Sequence, residues 1–338
     1  MKVFLCEYIC SGGFAALPTE QVAESLRCEG AAMMTALAFD LSEVAEVVVA
    51  VDPRLRPDLP SCQQQEVQGG RSVWSQWARA AQGCDAAIVI APEVDGILAK
   101  AVGMLRAAGV NVIAASGDFL RVASDKRLTA RALGGGGVPH PTTLLPNVPG
   151  TRKKLQQAEA FIVKPRDGAG TQEIQVYDDF EIAVQMADED DLIQAYVRGT
   201  PASVAVIVSG NQLSVLPAVS QEICGENRSY LGGSGPLDDG QQRRAAALAQ
   251  RALAAMPPSA RGFIGLDLVL DEIGNHDVVI EINPRLTTSY VGLRHIVAGN
   301  LAARVLGLQH GPIQCQAEPQ QIRWSRDGHV WSLDHQIA

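Results

Sequence analysis

Hydrophobic positions in the first third of the chain come in short unbroken runs. Val3-Phe4-Leu5 opens the first, which extends to residue 9, and residues 47–51, 84–91 and 110–114 form three more. Runs of this length, without alternation, predict strands that are apolar on both faces. Between them the apolar spacing becomes helical, from Pro18 to about residue 39 and over residues 73–81 and 97–108. Strands alternating with helices predict a parallel sheet covered on both sides, a doubly wound, Rossmann-like α/β unit over residues 1–115.

Beyond residue 115 the pattern changes. Ser124-Asp125 reads as an N-cap for a helix from Lys126 to Leu133, stopped by Gly134-Gly135-Gly136-Gly137 and then Pro139 and Pro141. Short strands are predicted at 161–164, 173–177 and 192–196. Residues 203–208 and 213–219 read as a hairpin about Ser209-Gly210-Asn211. A helix over 241–255, an antiparallel pair at 262–270 and 278–283, and a helix near 298–306 follow, ahead of a polar tail from residue 311.

Composition narrows the class. Of 338 residues, 47% are hydrophobic and 19% charged, which predicts a folded, soluble chain. The net charge of −9 argues against a nucleic-acid surface, which needs a basic stripe. No apolar segment reaches the roughly 20 residues that span a bilayer, and Glu7 ends the opening apolar run too early for a secretory signal. A cytoplasmic protein with no membrane partner is expected. Seven scattered cysteines read as free thiols, and Cys6 and Cys10 lack the second Cys/His pair of a metal site.

The most informative chemistry lies in the 262–270 and 278–283 pair. Alternation puts Glu281 and Asn283 on one face, and a turn about Gly274 sets Asp267 opposite Glu281. Two opposed carboxylates in apolar strands are costly unless a cation joins them, and hard oxygen donors suit magnesium. An exposed polar hairpin face is the competing reading. A second signal is Phe161-Ile162-Val163-Lys164 followed by the loop Gly168-Ala169-Gly170, which offers a cation and backbone amides to a polyphosphate, or else is an ordinary turn. It is neither a Walker A loop nor a dinucleotide fingerprint. Arg285, just beyond the carboxylates, either stabilises a transferring phosphoryl group or makes a structural salt bridge.

Two further segments are candidates for substrate. Glu7, with Ser11, Gly12 and Gly13, follows the first strand at the carboxyl edge where doubly wound sheets place ligands. Glu7 is expected to receive an ammonium group, and the glycines to admit a carboxylate to backbone amides. The stretch from Gln221 to Gly233 reads as a long loop in which Arg228 pairs with a carboxylate. An ordinary turn or a mobile surface loop is the competing reading for both segments.

Taken in order, Lys126, Lys164 with Gly168-x-Gly170, Leu192-Ile193-Gln194-Ala195-Tyr196-Val197-x-Gly199, Asp267 and Glu281-Ile282-Asn283-Pro284-Arg285 resemble the motifs of the ATP-grasp superfamily. The resemblance covers roughly residues 115–310. It implies an N-terminal pre-ATP-grasp domain (1–115) followed by an ATP-grasp fold (116–338) of two α+β subdomains. These would be a small lid at about 135–195 and a catalytic subdomain at about 196–310, with the tail at 311–338. It implies ATP with Lys126, Lys164, Gly168 and Gly170 on its phosphates and Gln194, Ala195, Tyr196 and Val197 at its adenine. Asp267, Glu281 and Asn283 would hold Mg2+, with Mn2+ as a substitute, and Arg285 would be catalytic. Many relatives carry a glutamate near the adenine hinge, where this chain has Gln194 and Ala195. The implied activity is ligation of a carboxylate to an amine through an acyl phosphate, on small-molecule amino-acid and amine substrates. Within the superfamily, Glu7-Tyr8, Ser11-Gly12-Gly13 and Tyr230-Leu231-Gly232-Gly233 look most like the ligases that join glutamate to tyramine. The alternatives are another amino-acid ligase and a nucleotide-binding module without catalysis. A homodimer is compatible with the sequence.

Overall fold

The computed structural model describes residues 1–146, 152–155, 158–168, 174–225, 229–274, 276–316, 321–332 and 336–337. The first apolar runs pair in parallel. Lys2–Glu7 lies between Glu46–Val51 and Ala86–Ile90, and Gln63–Glu66 adds an outer edge beside Glu46–Val51. That edge strand is exposed throughout, so no hydrophobic run marks it. The fourth expected strand, 110–114, is reduced to one parallel bridge between Ala87 and Val112. By Ser116 the chain has already left the sheet, its amide donating to the Ser259 carbonyl.

Alternation along Lys2–Glu7 divides the core. Val3 and Leu5 pack with Met34, Leu37 and Leu41 of the helix Glu24–Ser42. Phe4 and Cys6 belong to the opposite cluster, with Trp77 of Val73–Ala80 and Leu98 of Ile97–Ala107. The first helix starts at Glu24, later than Pro18 suggests, because a 3-10 turn at Thr19–Gln21 intervenes.

The second half is built on a nine-stranded antiparallel sheet. Its spatial order runs Val278–Asn283, Gly262–Leu270, Thr200–Ser209, Val219–Cys224, Ser229–Gly235, Ile322–Ser325, Val330–Ser332, Gln336–Ile337, with Gln212–Val215 beside Thr200–Ser209. Two expectations are corrected here. The stretch 221–233, read as a loop, is a strand pair, Val219–Cys224 against Ser229–Gly235, with residues 226–228 outside the described residues. The tail carries strands because Ile322, Trp324 and Val330 alternate inward among its polar residues. Trp324 fills space that only glycine leaves: a Cβ on Gly292 would fall 2.0 Å from its ring, and one on Gly233 2.6 Å.

A small third sheet orders Thr143–Leu144, Asp191–Ala195, Phe161–Pro165 and Gln175–Tyr177. It has its own core of Leu155, Phe161, Val163, Ala183 and Ile193. Both larger clusters, by contrast, mix residues of the first sheet with residues of the nine-stranded one. A polar tie joins the same two units. Asp40, in Glu24–Ser42, accepts from Tyr290 Oη at 2.6 Å and from Arg294 Nε and Nη2 at 2.9 and 2.5 Å, both in the helix Ser289–Ile296.

Candidate active site

The expected register holds: Asp267 pairs with Glu281 across the antiparallel strands, and Gly265 with Asn283. The turn that sets it passes through Gly274, at φ +81°, a conformation open to glycine. Asn283 Nδ2 donates to Asp267 Oδ2 at 3.1 Å, and Gln221 Nε2, from Val219–Cys224, donates to Asp267 Oδ1 at 2.8 Å. Burial, and then the charge of Glu281, push the Asp267 carboxyl up to about 8. Burial pushes Glu281 the same way, but Lys126, Lys164, the bond to Asp267 and Arg285 together outweigh it and hold that carboxylate below its ordinary range.

Lys126 opens the helix Lys126–Gly135, which Asp125 caps through the amides of Arg127 and Leu128. Its Nζ lies 3.7 Å from Glu281 Oε2 and donates to the Gly168 carbonyl at 2.8 Å. Lys164, 3% exposed at the end of the small sheet, donates from Nζ to Gln194 Oε1 at 2.9 Å. Gln194 Nε2 donates to Thr143 Oγ1 at 2.7 Å, which fixes the amide's orientation. Burial brings the Lys164 ammonium down to about 8, although Glu281 opposes the shift. Ala195 and Tyr196 spend their amides on the Thr142 and Ala160 carbonyls, and Val197 follows at the crossing from the small sheet into Thr200–Ser209. Gly170 lies outside the described residues.

Arg285 reaches back to the first unit. Its Nε donates to both oxygens of Glu93, at 3.0 and 3.1 Å, and its Nη1 to the Leu286 carbonyl at 3.2 Å. The guanidinium charge acts on Asp267 and Glu281 and, from the first unit, on Glu7 and Glu29. Sequence reasoning missed Glu93. The signal was its position: Lys2–Glu7 and Ala86–Ile90 are neighbours where the strand order reverses, and acidic residues follow both carboxyl ends.

Glu7 sits at that point, 3% exposed, with Oε2 accepting the Cys10 amide at 2.7 Å. Burial raises its carboxyl to about 7, against the pull of the Cys10 and Ile9 amides and Arg285. The neighbouring Ser11, Gly12 and Gly13 do not form the expected anion cradle. Their amides bond the carbonyls of Glu7, Ile9 and Tyr8 within the turn, and Ser11 Oγ donates to the Ala50 carbonyl. The glycines serve packing: a Cβ would lie 2.6 Å from Val67 at Gly12 and 2.5 Å from the Tyr8 ring at Gly13. Arg228 lies outside the described residues.

The donor set fits a divalent cation. Two facing carboxylates, one of them raised by burial and by the charge of the other, stand beside the amide of Asn283, and all are hard oxygen ligands. No group of three or more His, Cys, Asp or Glu side chains with metal-holding geometry occurs among the described residues. A magnesium ion here would therefore rest on Asp267, Glu281 and Asn283 and complete its shell with phosphate oxygens and water.

Facing carboxylates, two lysines and an arginine gathered between two antiparallel sheets define a class. Residues 123–289 match the ATP-grasp domain family and residues 45–118 match the pre ATP-grasp 3 domain. The chain thus carries a pre-ATP-grasp domain followed by an ATP-grasp domain. A tyramine--L-glutamate ligase of Methanocaldococcus jannaschii is 27% identical over 210 residues, 62% of this chain. The match spans 58% of that relative's length. An ATP-grasp superfamily protein from Archaeoglobus fulgidus has the same fold, with a TM-score of 0.72 at 24% identity over 96% of this chain and 91% of that one. N5-carboxyaminoimidazole synthetase from Staphylococcus aureus, complexed with ADP, gives a TM-score of 0.67 at 14% identity over 95% and 81%.

Proposed function

We propose that the protein is an ATP-dependent carboxylate–amine ligase that joins the γ-carboxylate of glutamate to the amine of tyramine. The observation that carries the ligase reading is the charge arrangement at Asp267, Glu281, Lys126 and Lys164. Two cations and a cation-demanding carboxylate pair converge on one place, as transfer of a phosphoryl group from MgATP requires. The relative named a tyramine--L-glutamate ligase supports the choice of acid and amine.

In this reading Lys126 and Lys164 hold ATP phosphates, Gly168 covers them, and residues 194–197 edge the adenine. Asp267, Glu281 and Asn283 would hold magnesium, which would supply neutralisation of phosphate charge. The substrate carboxylate takes the γ-phosphoryl group, giving an acyl phosphate and ADP. Arg285 stabilises charge on the transferring group. The substrate ammonium first gives a proton to a carboxylate, for which Glu7, its carboxyl raised to about 7, is suited; the free amine then attacks the acyl carbon, and phosphate leaves with the second N–H proton. Steady-state ADP release with glutamate, tyramine and MgATP, with product mass, tests the assignment. An amide of glutamate and tyramine is expected. ADP release with a different acid and amine would overturn the substrates and keep the chemistry; no ADP release with any acid and amine would overturn both.

A further inference from the structure

Arg285 stands among more carboxylates than it can serve. Asp267 and Glu281 lie on its own side of the molecule, Glu7 and Glu29 on the other, and its charge acts on all four. Among the described residues Arg285 hydrogen-bonds none of these four. Its carboxylate partner is Glu93. It is 4% exposed, comes from the first domain 192 residues earlier in the chain, and takes the Nε–H of Arg285 on both oxygens. The Leu286 carbonyl takes an Nη1–H. Among the described residues Nη2 has no hydrogen-bond partner, so Nε and Nη1 fix the guanidinium plane while the Nη2 donors stay available.

We infer that Glu93 is a positioning residue: by gripping the Nε edge of Arg285 it keeps the guanidinium off the magnesium carboxylates and aims its remaining donors at the transferring phosphoryl group. The first domain thereby completes the catalytic centre rather than only covering it. This rests on the role given above to Arg285, and the experiment separates the two.

The measurement is binding of MgADP with and without tetrafluoroaluminate, a mimic of the transferring phosphoryl group, to the full-length protein by calorimetry. It needs neither acid nor amine, so an error in the substrates leaves it untouched. In the wild-type protein tetrafluoroaluminate should tighten MgADP binding. Arg285→Met should lose about ten- to a hundredfold of that tightening, and Glu93→Gln a comparable amount, with affinity for MgADP alone unchanged. The double variant should be no worse than Arg285→Met, because a misplaced arginine and an absent one are equivalent. Glu93→Asp, which keeps the charge, should recover part of the tightening and serves as the test should Glu93→Gln not fold. Wild-type tightening in both Glu93 variants, with loss in Arg285→Met, would overturn the positioning role and leave Arg285 standing. No loss in Arg285→Met, or no tightening in the wild type, would remove the role of Arg285 and the inference with it. Equal weakening of MgADP alone by Glu93→Gln would make the pair merely structural.

Discussion

Asp267 and Glu281 carry opposed consequences of the same burial. One is driven to hold a proton near neutral pH, and the other is kept ionised chiefly by two lysines. Under the proposed role, Asp267→Asn and Glu281→Gln each remove a charge that bound magnesium would need. ADP release should fall about a hundredfold or more, with unchanged circular dichroism. Lys164 makes a second prediction. Its ammonium titrates near 8 in the ligand-free protein, against 10.5 for a free lysine, because burial disfavours the charge. Polyphosphate favours the charged form, so ATP binding above pH 8 must take up a proton. Affinity should weaken by up to about tenfold per pH unit there, and calorimetry in buffers of different ionisation enthalpy should detect the proton. Lys164→Met should flatten that dependence. The same shift gives a stability contribution present above pH 10.5 and lost as pH falls through 8. Much of this site was legible. Strand alternation and one glycine turn are local rules, so the facing of Asp267 and Glu281 followed from the residues alone. Glu93 and Gln221 follow no local rule: each meets the site only through the folded sheet order.

Among the elements, legibility tracked hydrophobic pattern. Gly262–Leu270, Val278–Asn283 and the helix Asp239–Ala255 announce themselves, whereas Gln63–Glu66 is a strand of exposed polar residues. Ser229–Gly235 and Ser289–Ile296 were hidden for a shared reason. Gly233 and Gly292, which weaken any strand or helix reading, are there to admit Trp324. Arg294, in Ser289–Ile296, supports a prediction at this scale. Asp40→Asn would leave the Arg294 guanidinium without its counter-charge and Tyr290 with a weaker acceptor. Denaturant unfolding should show a loss of about 3 kcal/mol, while Asn300, which bonds the Asp40 backbone carbonyl, should keep its contact.

Across the whole molecule, two hydrophobic clusters run through both the first domain and the nine-stranded sheet, while among the described residues the small sheet keeps a core of five buried side chains to itself. Few buried contacts mean low local stability. Hydrogen exchange should therefore be fastest in Phe161–Pro165, Gln175–Tyr177 and Asp191–Ala195, and MgATP should slow it there. Uniform exchange across all three sheets would contradict a separately opening lid. No helix among the described residues is long and apolar enough to cross a membrane. The net charge of −9 coexists with Lys126, Lys164 and Arg285 at the site, so global charge does not report the chemistry of its ligands. The segment from residue 283 to 294 is also tied to the first domain at both ends, through Glu93 at Arg285 and Asp40 at Arg294. The two domains are therefore not interchangeable parts. A chimera that borrows its first domain from a relative inherits working kinetics only if both ties are carried across together, and substitutions at one end of a tie select for matching changes at the other.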